Sequence, residues 1–169
     1  MRKIPSRLYK KQSFELADYL INNYCCIPDR IFYLNSSVCL ELLLKNLIIY
    51  EVYNSFLDKE DNEKQYQEFI EKVKKKMTNK GHGVDKLLDL DVLLKKELFI
   101  ESVDKINGDF VSQFQIKFND KTSLLISTLE ALRYGVFSNQ KHVAEIYDKE
   151  KLLSLLKGVK EHIGNSVIY

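Results

Sequence analysis

Hydrophobic positions recur with a helical period through most of this chain, and they are densest between Asn35 and Phe56. Val38, Leu42, Ile49, Val52 and Phe56 fall at helical spacings there. Leu43, Leu44, Leu47 and Ile48 widen that stripe until little of the helix can face water. Glu41, Lys45 and Asn46 interrupt it. Such a helix must be wrapped by other helices or by a second subunit. Asn35 or Ser36 is a suitable cap for a helix that starts near Ile31 or Asn35 and ends near Phe56.

Weaker stripes flank this one. Phe14, Ala17, Leu20, Ile21 and Tyr24 predict a first helix from about Arg7 to Tyr24, with Pro28 and Asp29 breaking the chain after it. Tyr66, Phe69 or Ile70, Val73 and Met77 make a narrow stripe on a third, more exposed helix, braced by Glu68–Lys72 and Glu71–Lys75 pairs. Its basic end, Lys74 to Lys76, suits the helix dipole. After Lys80-Gly81-His82-Gly83, a short helix is expected over Val84 to Leu90 and another over Asp91 to Val103. Phe110, Ser112, Phe114, Ile116 and Phe118 alternate like a strand. A lone strand has no partner, so helix or irregular structure is the expectation there. Asn119 or Asp120 can cap a helix through Thr122 to Tyr134, ending near Gly135. Leu152, Leu155 or Leu156, Val159 and Ile163 define a last amphipathic helix, stopped by Gly164 and Asn165.

These elements predict an all-α fold, an antiparallel bundle of four long helices with one or two short ones, forming one domain over residues 1–169. No βαβ alternation, glycine-rich phosphate loop or serine elbow points elsewhere.

Composition narrows the function. With 26 basic and 24 acidic residues the net charge is +2, which gives nucleic acid no broad landing area. Cys25, Cys26 and Cys39 are too few for a disulfide framework, and the adjacent pair reads as small buried hydrophobes in a reducing compartment. No metal-ligand spacing is present, so neither a metal nor another cofactor is expected. The basic opening residues lead into no signal-like apolar stretch. Glu41 and Lys45 lie near the middle of the most apolar helix, which argues against a membrane span. A soluble, cytoplasmic protein is expected.

Three segments together resemble the HEPN superfamily of small helical bundles. Ser36–Ile48 resembles its apolar helix with a Glu and a Lys one turn apart, here Glu41 and Lys45. Gly81–Leu90 resembles its loop histidine, here His82, entering a Leu-rich helix. Leu129–Gly135 resembles a helix end with an Arg-Tyr pair, here Arg133 and Tyr134. Their order and separation cover roughly residues 10–165. The resemblance implies two-fold dimers, roles in toxin–antitoxin and antiphage systems, and partnership with minimal nucleotidyltransferases. In many members it also implies metal-independent RNA cleavage by an Arg and a His separated by four to six residues.

Here eight residues, Tyr134 to Lys141, separate Arg133 from His142. Arginine can neutralise a phosphodiester, and histidine can take the 2′-hydroxyl proton or protonate the leaving oxygen, provided both touch one phosphodiester. Continuous helix would hold them about 14 Å apart along its axis. A break at Gly135 could reunite them. Arg133 equally suits a salt bridge or helix cap, His142 a loop or N-cap, His82 a loop anchor, and Tyr134 a packed ring. Glu41 and Lys45 suit a shared polar network in a dry helix.

The expected role is therefore non-catalytic. The chain is read as a HEPN-like interaction domain that forms a homodimer or binds a protein resembling a nucleotidyltransferase or another defence component. The alternative is an RNA-cleaving toxin using Arg133 and His142.

Overall fold

A computed structural model describes residues 4–57, 62–80, 84–107, 112–127 and 148–167. Where the helical period is strong, helices form: α1 (Ile4–Asn22), α2 (Asp29–Asn54), α3 (Glu63–Lys80) and, near the C-terminus, α6 (Lys149–Ser166). Two short helices, α4 (Val84–Leu88) and α5 (Val92–Glu97), lead into three strands, β1 (Ile100–Asn107), β2 (Ser112–Phe118) and β3 (Ser123–Ser127).

α2 begins earlier than a cap at Asn35 or Ser36 would allow. Pro28 stands at the N-cap with φ −54° and ψ 140°, and Asp29 supplies negative charge to the first turn. Ser36 and Ser37 are buried inside the helix, and Asn35 Nδ2 donates back to the Ile31 carbonyl at 2.9 Å. α1, α3, α4, α6 and β3 all pack on α2. By length and composition α2 could cross a membrane, with mean hydropathy 1.3 over its most apolar window, yet 61% of that window is buried against the rest of the chain. Of Leu43, Leu44, Leu47 and Ile48, whose apolar surface suggested a second subunit, Leu43, Leu44 and Ile48 are at most 1% exposed within a single chain and Leu47 is half-buried.

The all-α bundle is incorrect. The strands form an antiparallel meander in the order β1-β2-β3. The alternation at Phe114, Ile116 and Phe118 was a true strand signal, and its partners are the sequence neighbours on either side. Phe114 pairs with Ile126 and Ile116 with Leu124, so four apolar side chains share the buried face. On the other edge Val103 opposite Ile116 continues that face. A register shift between Ile100 and Ser102 marks a bulge at the start of β1.

Two expected helices give way here. Asp91–Val103 divides into α5 and the first part of β1, and Ser123–Ser127 joins the sheet instead of starting a helix. Asp120 does cap, but it caps a turn. Its Oδ1 accepts from the Thr122 amide at 2.9 Å while Lys121 takes φ 67°.

One apolar cluster runs from α1 and α2 through α4, α5 and the sheet to α6. A smaller one joins Ile49, Val52 and Phe56 of the α2 end to Phe69 of α3, with the two phenyl rings edge to face at 5.8 Å. Cys39 is buried, but Cys25 and Cys26, expected to be buried, are exposed, because they fall in the turn after α1 and not on its inner face.

The meander makes a direct prediction. Ile116 is fully buried on the central strand. Ile116→Ala should lower unfolding free energy by about 2–5 kcal/mol. Exposed Lys117 beside it should tolerate alanine within about 0.5 kcal/mol. Urea titration of both variants checks this, and a loss below about 1 kcal/mol at Ile116 would contradict the sheet's place in the core.

Candidate functional site

Among the described residues, the buried polar groups of the core fall into two sets, one on α1 and α2 and one between α5 and α6. In α2, Lys45 Nζ donates to Glu41 Oε1 at 2.5 Å, one helical turn apart and nearly out of solvent. Asn46 Nδ2 donates to Ser13 Oγ at 3.0 Å, and Ser13 Oγ donates to the Lys10 carbonyl at 2.8 Å, which ties α1 to α2. Burial, reinforced by the nearby Glu41 charge, pushes the Tyr9 hydroxyl pKa far above its ordinary value. Burial, helped by Asp18, pushes the Cys39 thiol up to about 12, so it is inert. This set joins helices and offers no reactive group to solvent.

The second set centres on His162. It occupies a buried position in α6 between Val159 and Ile163. Its Nδ1 lies 2.6 Å from Glu97 Oε2 and its Nε2 lies 2.7 Å from Asp91 Oδ2. Asp91 serves two elements, because its Oδ1 also accepts from the Leu93 and Leu94 amides and caps α5. Glu97 closes the same helix at its last residue. Two carboxylates from the two ends of α5 therefore grip one imidazole on α6. Both ring nitrogens can donate only when the ring is the imidazolium cation.

The electrostatics agree with that reading. Burial by itself would lower the His162 pKa, but the hydrogen bonds and charges of Asp91 and Glu97 outweigh it and raise the value above 6.5. Burial would likewise raise Asp91. The His162 hydrogen bond, the Leu94 amide, the His162 charge and the Leu93 amide together hold it below 3.8. Lys10 of α1 reaches the α6 end only at the Val167 carbonyl, 2.5 Å away.

Ser166 Oγ lies 3.3 Å from His162 Nε2, so carboxylate, imidazole and hydroxyl meet at one place. Nucleophilic catalysis needs a neutral imidazole free to take the hydroxyl proton. Here Asp91 occupies the same ring nitrogen and keeps it protonated. The two carboxylates also face opposite ring nitrogens, so they cannot share one metal ion with the ring. Among the described residues no group of His, Cys, Asp and Glu is arranged to hold a metal. The set is a clamp between α5 and α6.

What the clamp positions is the corner after α5. Phe99 there has φ 54°, a left-handed backbone that is strained for a bulky residue by about 1–2 kcal/mol. Its ring is 66% exposed, and Val92 and Leu93 at the start of α5 are each 64% exposed. The Phe99 carbonyl accepts from the Asn119 amide at 2.9 Å, which joins this corner to the β2–β3 turn. Leu98 reaches α6 at Gly158, where an added Cβ would sit 2.3 Å from a Leu98 methyl. A cleft of about 850 Å³ opens between this corner, the β2–β3 turn and the first turns of α6.

Of the residues singled out from the sequence, Glu41 and Lys45 meet as a buried pair inside α2. His82, Arg133, Tyr134 and His142 lie outside the described residues. His162, Asp91, Glu97 and Phe99 were missed. The available signal was a histidine on the apolar stripe of the last helix, where a polar residue needs a buried partner.

The clamp predicts a pH dependence. His162 has a raised folded pKa, so its contribution is complete below the unfolded value of 6.5 and is lost as pH rises through the folded value. Asp91 has a depressed one, so its contribution is complete above 3.8 and is lost as pH falls through the folded value. Stability from the clamp is therefore greatest between 3.8 and 6.5. His162→Ala should cost about 1.5–3 kcal/mol in that window and less at alkaline pH. NMR titration should place the His162 midpoint above 6.5. A midpoint at or below the free-imidazole value, or a mutational cost independent of pH, would contradict the clamp.

Comparison with known proteins supplies no relative: no protein-family model, no curated protein and no solved structure matches this chain.

Proposed function

We propose that this chain is a non-catalytic, cytoplasmic protein-interaction domain, its helices gathered on α2 and its three-stranded meander set beside α5. The observation that carries the reading is the α5–β1 corner. Val92, Leu93 and Phe99 expose large apolar side chains within eight residues, at 64–66% of their surface. Isolated exposed apolar residues are ordinary, but three on one short clamped stretch of chain favour a contact surface. The corner is held by the buried His162 clamp, so its surface is fixed before a partner arrives. Phe99 keeps a strained backbone while its ring contributes little to the core. Strain maintained at an exposed residue fits a binding role better than a folding one.

The buried Glu41–Lys45 pair and the short Leu-rich α4 packed on α2 are in keeping with two of the three segments that resemble the HEPN superfamily. On that resemblance the partner is a nucleotidyltransferase-like protein, another defence component or a second copy of the chain. The RNA-cleaving alternative depends on Arg133 and His142, and no described geometry favours it.

Pull-down from the native cell with the purified chain as bait tests the main reading. One protein should be recovered specifically in mild salt, and it should be lost when Val92, Leu93 and Phe99 are made polar together. Recovery of nothing specific, or recovery indifferent to those changes, would count against it. The enzymatic alternative has its own assay, RNA turnover with chelator present. The interaction reading expects none. Turnover that drops about 10²–10⁴-fold in His142→Ala, and falls also in Arg133→Ala, would replace it with the enzymatic one.

A further inference from the structure

We infer that the cleft between the α5–β1 corner, the β2–β3 turn and the start of α6 receives a short basic segment of a partner protein carrying one large apolar side chain. This inference rests on the interaction reading above and adds the chemistry of the partner.

The apolar half of the argument is Phe99. Phe99 lines the cleft and is 66% exposed, and Leu98 and the mostly buried Phe118 and Leu155 add apolar lining. An aromatic or long aliphatic side chain laid there would cover surface that the chain itself leaves wet. The volume of about 850 Å³ and the wide mouth suit several residues of peptide better than a compact small molecule.

The charge half comes from the rim. Glu97, Asp120, Asp148 and Glu150 line the cleft, and all four are exposed. Lys151 is the basic residue among the described lining, and it is engaged internally. Its Nζ sits 4.3 Å over the Phe118 ring and 3.3 Å from Asp120 Oδ2. Glu97 is likewise engaged by His162 and Asp120 by Lys151, so the charge left open on the described lining is that of Asp148 and Glu150, and it is negative although the whole chain carries +2. Such a rim repels phosphate backbones and anionic lipid, and it attracts lysine or arginine. Asp148 and Glu150 stand at the start of α6, where the helix dipole stabilises their negative charge. Acidic rim and apolar floor together select a segment bearing both features.

Fluorescence anisotropy with a labelled peptide in which Lys alternates with Leu tests this on the full chain. The protein should bind that peptide, and binding should weaken with salt. It should not bind the peptide with Glu in place of Lys, nor the one with Ser in place of Leu. Phe99→Asn should weaken binding tenfold or more, as expected for loss of an aromatic anchor. Asn tolerates a left-handed backbone, so this variant should stay folded. Glu150→Lys should weaken binding to a similar degree, while Tyr19→Ser, an exposed site outside the cleft lining, should not change it. Failure of the wild-type chain to bind, equal binding of the Glu peptide, displacement of the peptide by an RNA oligomer, or unchanged affinity in Phe99→Asn and Glu150→Lys would overturn the inference. The two readings fail separately. A captured partner whose retention ignores both cleft substitutions leaves the interaction domain standing and removes the cleft as its site. Absence of any partner removes the domain reading itself.

Discussion

Burial of α2 on nearly every side is the constraint on which the rest of this structure depends. A helix of 26 residues with thirteen buried side chains cannot rest on one neighbour. It draws α1, α3, α4, α6 and β3 around itself, and their inner faces are complementary stripes. The same burial makes polar residues on α2 expensive unless they are partnered within the fold. Glu41 and Lys45 neutralise one another, and Asn46 binds Ser13 and the carbonyls of Leu42 and Leu43. Hydrogen-bond direction at these sites also fixes how α1 lies on α2, which apolar contact alone leaves loosely specified.

The long helices were legible because each repeats its apolar positions over several turns. Their boundaries were less so. Asn35 and Ser36 look like caps, yet Pro28 and Asp29 start α2 about two turns earlier, since nothing between them and Ser36 breaks the helical pattern. The sheet was hidden for a different reason. Strands of five to eight residues are too short to separate from helix by periodicity, and Ser123–Ser127 reads equally as a buried strand or a helical turn. The alternation over Phe114–Phe118 is visible in the sequence, but a strand needs a partner that the neighbouring pattern does not advertise. That partner was next to it in sequence, at Ile100–Asn107, weakly patterned because Asp104 and Lys105 occupy an edge strand.

The Glu41–Lys45 pair could be read from spacing alone, because a helix determines which residues meet at i and i+4. The His162 clamp could not. Glu97 and Asp91 are 65 and 71 residues away in sequence, and only the docking of α5 on α6 brings them together. The clamp connects fold to function. It fixes a six-residue helix that would be marginal alone, and that helix carries the exposed Val92 and Leu93 and delivers Phe99 to the mouth of the cleft. Stability is thus concentrated behind a surface that does not itself contribute to the core.

If α2 is the wrapped centre of a single chain, its protection from solvent must be intrinsic. Hydrogen exchange followed by mass spectrometry, at successive dilutions, measures this directly. The account predicts that amides over residues 36–52 exchange most slowly, more slowly than those of the more exposed α3, and that dilution leaves their protection unchanged. Rapid exchange in α2, or protection that disappears as the chain is diluted, would show that its cover comes from another subunit.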